Sequence, residues 1–146
     1  MRDAVQTSQN LAINTLKKHR DRIFTEREGL TLRYGDIEAA SNRVANGILA
    51  CGYGPGDHIA VVLPNGADYA VADFGIYKSG AALVPMNMML SLADVAFILK
   101  DSGARMAFVD ASLAAKVQSM QCDLPRLKEV IVVGGATGDE LIGWED

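Results

Sequence analysis

A chain of 146 residues, 49% hydrophobic, with 14 Lys and Arg against 18 Asp and Glu and a net charge of −4, can fold as one domain burying roughly two thirds of the surface that its unfolded form exposes. The acidic balance and the scatter of the cations, apart from Lys17-Lys18-His19-Arg20 with Arg22 close behind, argue against a nucleic-acid partner, since no basic patch with interleaved aromatics offers the electrostatic footprint. No uncharged stretch approaches the ~20 residues that cross a bilayer, and Cys51 and Cys122, far apart and outside any C-x-x-C or metal-ligand spacing, suit a reducing, cytoplasmic setting with both thiols buried as small hydrophobes.

Leu11, Ile13 and Leu16 among polar neighbours predict a first helix running to about Arg20. The period then changes. Residues 22 to 34, "RIFTEREGLTLRY", read as two short strands turning at Glu28-Gly29, a hairpin signal. From Asp36 the pattern is helical, with Ile37, Ala40, Val44, Ile48 and Cys51 on one stripe and Gly52 ending it.

The next stretch, "GYGPGDHIAVVLPN" (52 to 65), places its glycines before an apolar run. A phosphate cradle needs the opposite order, strand first and helix after, so that backbone N–H groups and the positive helix end face the anion. Gly54-Pro55-Gly56-Asp57 is therefore read as a tight turn, with proline fixing one φ and glycine free to take the left-handed one. "HIAVVL" (58 to 63) is a strand buried on both faces. Asn65 with Asp68 resembles a capping box, so a helix is expected over about 66 to 78, with Ala70, Phe74 and Tyr77 at helical spacing and Gly80 as its stop.

"AALVP" (81 to 85) is the following strand, and Ser91 with Asp94 is a second S-x-x-D cap, leading a helix with Leu92, Val95, Ala96 and Leu99 on one face, then Lys100 and Gly103 as stop signals. "RMAFV" (105 to 109), a short helix led by Asp110 with Leu113 and Val117, and "EVIVV" (129 to 133) complete the series. Strands starting near 58, 81, 105 and 129, with helical signals between, have the rhythm of βαβ units. The predicted fold class is α/β: a mostly parallel sheet flanked by helices, preceded by a helix and a hairpin.

In an open parallel sheet, ligands gather beyond the carboxyl ends of the strands. That edge comprises Pro64-Asn65, Pro85-Met86-Asn87-Met88-Met89, Asp110-Ala111 and Gly134-Gly135. Helix capping accounts for Asn65 and Asp110 more simply than ligand contact does. Asn87, four residues before the cap Ser91, needs some other partner, and the loop pair Met88-Met89 either packs under the loop or lines an apolar channel. Catalytic and metal-binding constellations are not found: His19 and His58 stand apart from any ligand set, no G-x-S-x-G elbow offers a nucleophile, and the pairs Asp139-Glu140 and Glu145-Asp146 read as solvated surface. "VVGGATGDE" (132 to 140) follows a strand but lacks the lysine that a phosphate loop aims at the outer phosphates, and reads as a glycine-rich turn.

With these landmarks in place, the stretch from Tyr34 to Asp110 resembles the opening segment of the adenylate-forming superfamily: acyl-CoA synthetases, aryl-CoA ligases, luciferases and peptide-synthetase adenylation domains. Its members commonly read L-T-Y-x-E-L, N-R-x-A, G-x-x-x-G-D-x-V-A, P-N, K-x-G-A, P-x-N and D-S-G-A. This chain shows Leu32 and Tyr34, Asn42-Arg43 and Ala45, Gly52 with Gly56-Asp57 and Ala60, Pro64-Asn65, Lys78 with Gly80-Ala81, Pro85 with Asn87, and Asp101-Ser102-Gly103-Ala104. No one of these is specific; their order and spacing are. Arg33, His58 and Met88 depart from the usual threonine, basic residue and proline.

The resemblance implies that 1–146 is the N-terminal portion of a large AMP-binding domain, with 1–35 supplying the helix and hairpin and 36–146 the βαβ units. It further implies a parent that uses ATP, Mg²⁺ and CoA, joining a small carboxylic acid to a thiol through acyl-AMP. The phosphate loop, the ribose-binding aspartate and the C-terminal-domain lysine are expected beyond this sequence, so no catalytic residue, metal or bound cofactor is expected in this chain by itself. The loop Asn87, Met88 and Met89 is the implied CoA-side element, because in some relatives it lies near CoA. The expected partners are the rest of the same polypeptide and, through exposed apolar surface, a second copy. Two other readings stay open: a non-catalytic docking or oligomerisation module derived from the family, and a flavodoxin-like domain binding a mononucleotide at the strand ends.

Overall fold

The computed structural model describes residues 8–27 and 29–134. Its organising element is strand β3 (His58–Val62), where Ile59, Ala60, Val61 and Val62 are all completely buried. Consecutive side chains of a strand point to opposite faces, so this run requires a layer of helices on each side. Ile59, Val61 and Leu63 face one core together with Ile37, Val44, Ile48 and Ile76, while Ala60 and Val62 face a second core with Val95, Leu99, Val117 and Leu127. The result is a three-layer α/β/α sandwich.

The chain enters through helix α1 (Ser8–Lys18), the antiparallel hairpin β1 (Ile23–Arg27) and β2 (Leu30–Arg33), and helix α2 (Tyr34–Ala50). The βαβ series follows: β3, α3 (Ala67–Ser79), β4 (Ala82–Pro85), α4 (Leu92–Ser102), β5 (Met106–Asp110), α5 (Ala111–Met120), a 3-10 turn over Gln121–Asp123, and β6 (Glu129–Val133). All pairs in the second sheet are parallel, in the order β4-β3-β5-β6. The step from β3 to β4 runs outward one way and the step from β4 to β5 runs back past β3. Right-handed crossovers then place α3 and α4 on opposite faces and keep α5 with α4, in agreement with the membership of the two cores. The predicted α/β architecture with a leading helix and hairpin is the one observed.

Glycines set the local geometry where backbones meet. The predicted turn at 54–57 closes with Asp57 N–H donating to the Gly54 carbonyl at 3.0 Å, with Gly56 at φ 92° as the turn type requires. Asp57 also accepts from Gly54 N–H (3.0 Å) and from Arg105 Nη1 (2.8 Å), and the Arg105 guanidinium lies over the Tyr53 ring at 4.8 Å. The motif is a clasp between a turn and the β5 entry. Gly75 is where α3 meets α2: a Cβ there would sit 2.5 Å from Val44 Cγ1. Lys78 reinforces the same contact by donating to Ser41 Oγ and Asn42 Oδ1, each at 2.8 Å.

Three local expectations are corrected. Helix α3 starts at Ala67 with Gly66 at the cap and no side-chain cap bond, so Asn65 and Asp68 do not form a capping box. Helix α2 begins at Tyr34, straight from β2, and Asp36 serves as its first-turn acceptor for Arg33 N–H (2.8 Å). Cys51 and Cys122 are both exposed: Cys51 falls at the C-cap, where the chain leaves the helix, and the buried stripe ends at Ile48. The caps at Ser91 and Asp110 are as expected, each accepting from a first-turn N–H.

The Gly75–Val44 contact sets a test. Gly75→Ala gains about 1 kcal/mol of helix propensity yet is expected to destabilise the protein by about 1–3 kcal/mol through overpacking, read as a lower urea midpoint. Adding Val44→Ala should recover much of that loss; strictly additive effects would contradict the close approach.

Candidate functional site

Beyond the carboxyl ends of β3 and β4 the two following loops diverge, and a cleft of about 350 Å³ opens between them. One wall comes from Leu63, Pro64, Asn65 and, one turn into α3, Tyr69; the other from Pro85, Met86, Asn87 and Met88. Leu63, which packs in the first core, and Met86, which packs in the second, are both buried and give the cleft its apolar floor. Polar groups enter from Asn65, Asn87 and the Tyr69 phenol. The lining includes no Lys, Arg, His or acidic residue.

Asn87, Met88 and Met89 meet different fates. Asn87 Oδ1 accepts from Met89 N–H at 2.8 Å, an Asx turn that supplies the partner it lacked in the sequence, and its carbonyl accepts from Leu90 N–H at 3.2 Å. Met88 is half-buried, packs against the second core and lines the cleft. Met89 is 90% exposed and does not line it. Asn65, read as a cap, is instead free to face the cleft.

The other half of the strand-end edge is acidic. Asp110 caps α5 by accepting from Ser112 N–H (2.9 Å) and from the Ser112 hydroxyl. Its second oxygen lies 3.9 Å from where a Cβ on Gly134 would stand, with Gly134 at φ 79°. Burial pushes the Asp68 carboxyl above the usual carboxylate range, and the charge of Asp110 adds to the shift. The rest of "VVGGATGDE", from Gly135, lies outside the described residues, as do Asp139-Glu140 and Glu145-Asp146.

Sequence patterning missed a row on α3: Tyr69, Asp73 and Tyr77, one helical turn apart and all half-buried. Burial raises all three, and the Asp73 charge raises both tyrosines further. Asp73 Oδ1 is buried with no hydrogen-bond partner among the described residues. An i, i+4, i+8 spacing of Tyr-Asp-Tyr was the available signal, hidden because an acidic residue on a helix ordinarily reads as solvated. His19 stacks edge-on to Tyr34 at 6.2 Å, and the His58 ring bonds to the Ser102 carbonyl. No group of three or more His, Cys, Asp or Glu able to hold a metal occurs among the described residues, and no described helix is long and apolar enough to cross a membrane.

A cleft with carboxamides, a phenol and thioethers can hold and orient a ligand; it carries no nucleophile–base pair. The family model described as AMP-binding enzyme matches residues 13–145. A fatty acid–[acyl-carrier-protein] ligase, ScoC, of Streptomyces coeruleorubidus is 36% identical over 118 residues, 81% of this chain and 22% of that protein. A 3-hydroxybenzoate–CoA ligase of Aromatoleum is 31% identical over 122 residues, 80% of this chain and 23% of that ligase. Among solved structures, the luciferase-like enzyme of the nonluminescent mealworm Zophobas morio superposes with a TM-score of 0.80 at 21% identity, covering 88% of this chain and 31% of that one, a likeness of fold. The chain thus spans less than a quarter of the two ligases it matches.

Asp73 gives a pH test. A carboxyl whose folded pKa lies above its unfolded one costs stability when ionised, in full above the folded pKa and not at all below the unfolded one. Asp73→Asn is therefore expected to raise the Tm at neutral pH, with the gain fading as the pH falls through the raised pKa of Asp73 and absent once it is below the ordinary carboxylate range; a gain independent of pH would exclude the buried charge as its cause.

Proposed function

Because this chain belongs to the family of AMP-binding enzymes, we propose that it is the N-terminal part of the large domain of an AMP-forming acid–thiol ligase. The parent reaction joins a carboxylate to the α-phosphate of ATP, releasing pyrophosphate, and a thiol then displaces AMP to give a thioester. The observation that carries this reading is the match across residues 13–145 to the family model, supported by the two similar acid–thiol ligases.

Within that reading, the chain's own residues define a division of labour. Setting a carboxylate anion against a triphosphate demands cations and oriented donors to stabilise the charge on the phosphates. The cleft has no cation, and Lys78 is committed to Ser41 and Asn42. ATP and Mg²⁺ thus do not fit this cleft. An uncharged, amide-bearing arm such as that of CoA does fit: apolar walls from Leu63, Met86 and Met88 would take its aliphatic stretches, and Asn65, Asn87 and Tyr69 would meet its amides. The Asx turn of Asn87 holds the loop in the shape that keeps Met88 inward. The role of these residues is to bind and orient the thiol arm and to exclude water from it.

Two outcomes follow. This chain mixed with ATP, Mg²⁺, CoA and a panel of fatty and aromatic acids should release no pyrophosphate; turnover proportional to its concentration would overturn the scaffold role. In the full-length enzyme, Asn87→Ala should raise the KM for the thiol several-fold while leaving acid-dependent pyrophosphate release near wild type, and equal losses in both half-reactions would remove the loop from the thiol side.

A further inference from the structure

The polar side chains of the cleft differ in how freely they can face a ligand. A carboxamide carries donors and an acceptor, and a phenol hydroxyl can serve as either, so Asn65 and Tyr69 answer to both kinds of group. Asn87 does not. Its Oδ1 accepts from Met89 N–H at 2.8 Å, and turning the carboxamide over would set its NH₂ against that N–H, donor against donor, so the orientation is fixed. Its backbone carbonyl is taken by Leu90 N–H at 3.2 Å. What Asn87 has left for the cleft is Nδ2, from which no described residue accepts. On the same wall Pro85 has no N–H, Met86 gives its own to the Val61 carbonyl at 2.9 Å, and the side chains of Pro85, Met86 and Met88 are hydrocarbon or thioether. Nδ2 is the one side-chain donor of that wall.

We propose that Asn87 is a one-way specificity contact: its amide nitrogen donates to a carbonyl oxygen of the ligand in the cleft, while its amide oxygen is withheld by the Met89 N–H. The proposal rests on the thiol-side reading of the cleft and narrows it to a neutral thiol whose arm turns a carbonyl toward the β4 wall. A group that only donates, such as an ammonium or a guanidinium, would meet donor with donor at that point. A hydrocarbon there would strip Nδ2 of water and return no acceptor, which a site built around a hydrogen bond penalises. Leu63, Met86 and Met88 hold an apolar stretch equally well in many rotations about its axis; a directional bond at Nδ2 selects among them. Asn87 thus works through two atoms, Oδ1 on the loop and Nδ2 on the ligand, and Asn87→Ala removes both at once.

The test separates the two atoms in the full-length enzyme. Asn87→Asp keeps an oxygen for the Met89 N–H and replaces the donor by a second, charged acceptor. The Met89 amide should keep the hydrogen-exchange protection that Asn87→Ala loses, while the KM for pantetheine, the uncharged thiol arm itself, rises about tenfold or more. Wild type supplies a reading that needs no variant. With each pantetheine amide replaced in turn, an ester, which keeps the carbonyl and drops the N–H, should be used nearly as well as the parent, and one of the trans-alkenes, which lack both, should bind about tenfold more weakly. Asn87→Asp should not make that distinction. Wild type treating alkene and amide alike, or Asn87→Asp keeping the wild-type KM with the Met89 amide protected, would confine Asn87 to the loop and overturn the proposal while the thiol-side reading stands. A Met89 amide left unprotected in Asn87→Asp would remove the premise that Oδ1 is held by that turn. Losses of both Asn87 variants confined to acid-dependent pyrophosphate release, with the KM for pantetheine unmoved, would overturn the thiol-side reading itself.

Discussion

Burial of β3 on both faces is the constraint from which the rest of this molecule follows. Four consecutive residues, Ile59 to Val62, are withdrawn from water completely, and each large aliphatic among them contributes about 1.5–3 kcal/mol by leaving solvent. That gain is available only if helices cover both sides. The chain meets the requirement by reversing its direction of travel after β4, so that handed crossovers deliver α3 to one face and α4 to the other. The same reversal sends the loop after β3 toward one face and the loops after β4 and β5 toward the other, so that a cleft opens at the strand ends between the first two. Architecture and candidate site are two consequences of one packing demand.

The strand-end edge divides into two chemical halves. Over β3 and β4 it is apolar with neutral hydrogen-bonding groups; over β5 and β6 it presents Asp110 near Asp68, whose carboxyl is held up by burial and by that neighbour. The first half offers only neutral groups and the second is acidic, so neither presents a cation to an anionic ligand. The glycines at 54 and 56, which invite a phosphate-loop reading, instead form a clasp in which Asp57 binds Arg105 and Arg105 covers Tyr53. The Arg105 hydrogen bond holds the Asp57 carboxyl below the usual carboxylate range, marking the carboxylate as the bonded form in the native state.

Close packing on the α2–α3 side explains why small residues stand there. Gly75 admits Val44, and Ser41, buried, bonds back to the Ile37 carbonyl at 2.6 Å while receiving Lys78. The hairpin closes the far end of that layer through Phe24, which meets Tyr34 and Phe74 edge-on at 5.1 and 6.4 Å. An element that reads as an appendage in the sequence is thus part of the first core.

Much of this was legible from residue order alone, because strand and helix periodicity, the turn at Gly54 to Asp57 and the caps at Ser91 and Asp110 are local interactions between residues close in sequence. The family resemblance, too, lies in local motifs and their intervals. What local patterning could not decide is which of several chemically suitable side chains the fold would use. Asn65 has a capping residue's chemistry, yet the entry angle from β3 puts Gly66 at the cap and turns Asn65 to the cleft. Cys51 keeps helical spacing with Ile48, but the helix ends there and the stripe loses its cover. Asp73 and the exposure difference between Met88 and Met89 depend on which surfaces α3 and the β4 loop meet, and the strand order β4-β3-β5-β6 depends on crossovers that no short window contains. The sequence by itself determined the elements and the layered α/β class, through interactions between near neighbours. Only the tertiary structure decided the sheet order and the cleft with its lining, since those arise from contacts between residues far apart along the chain.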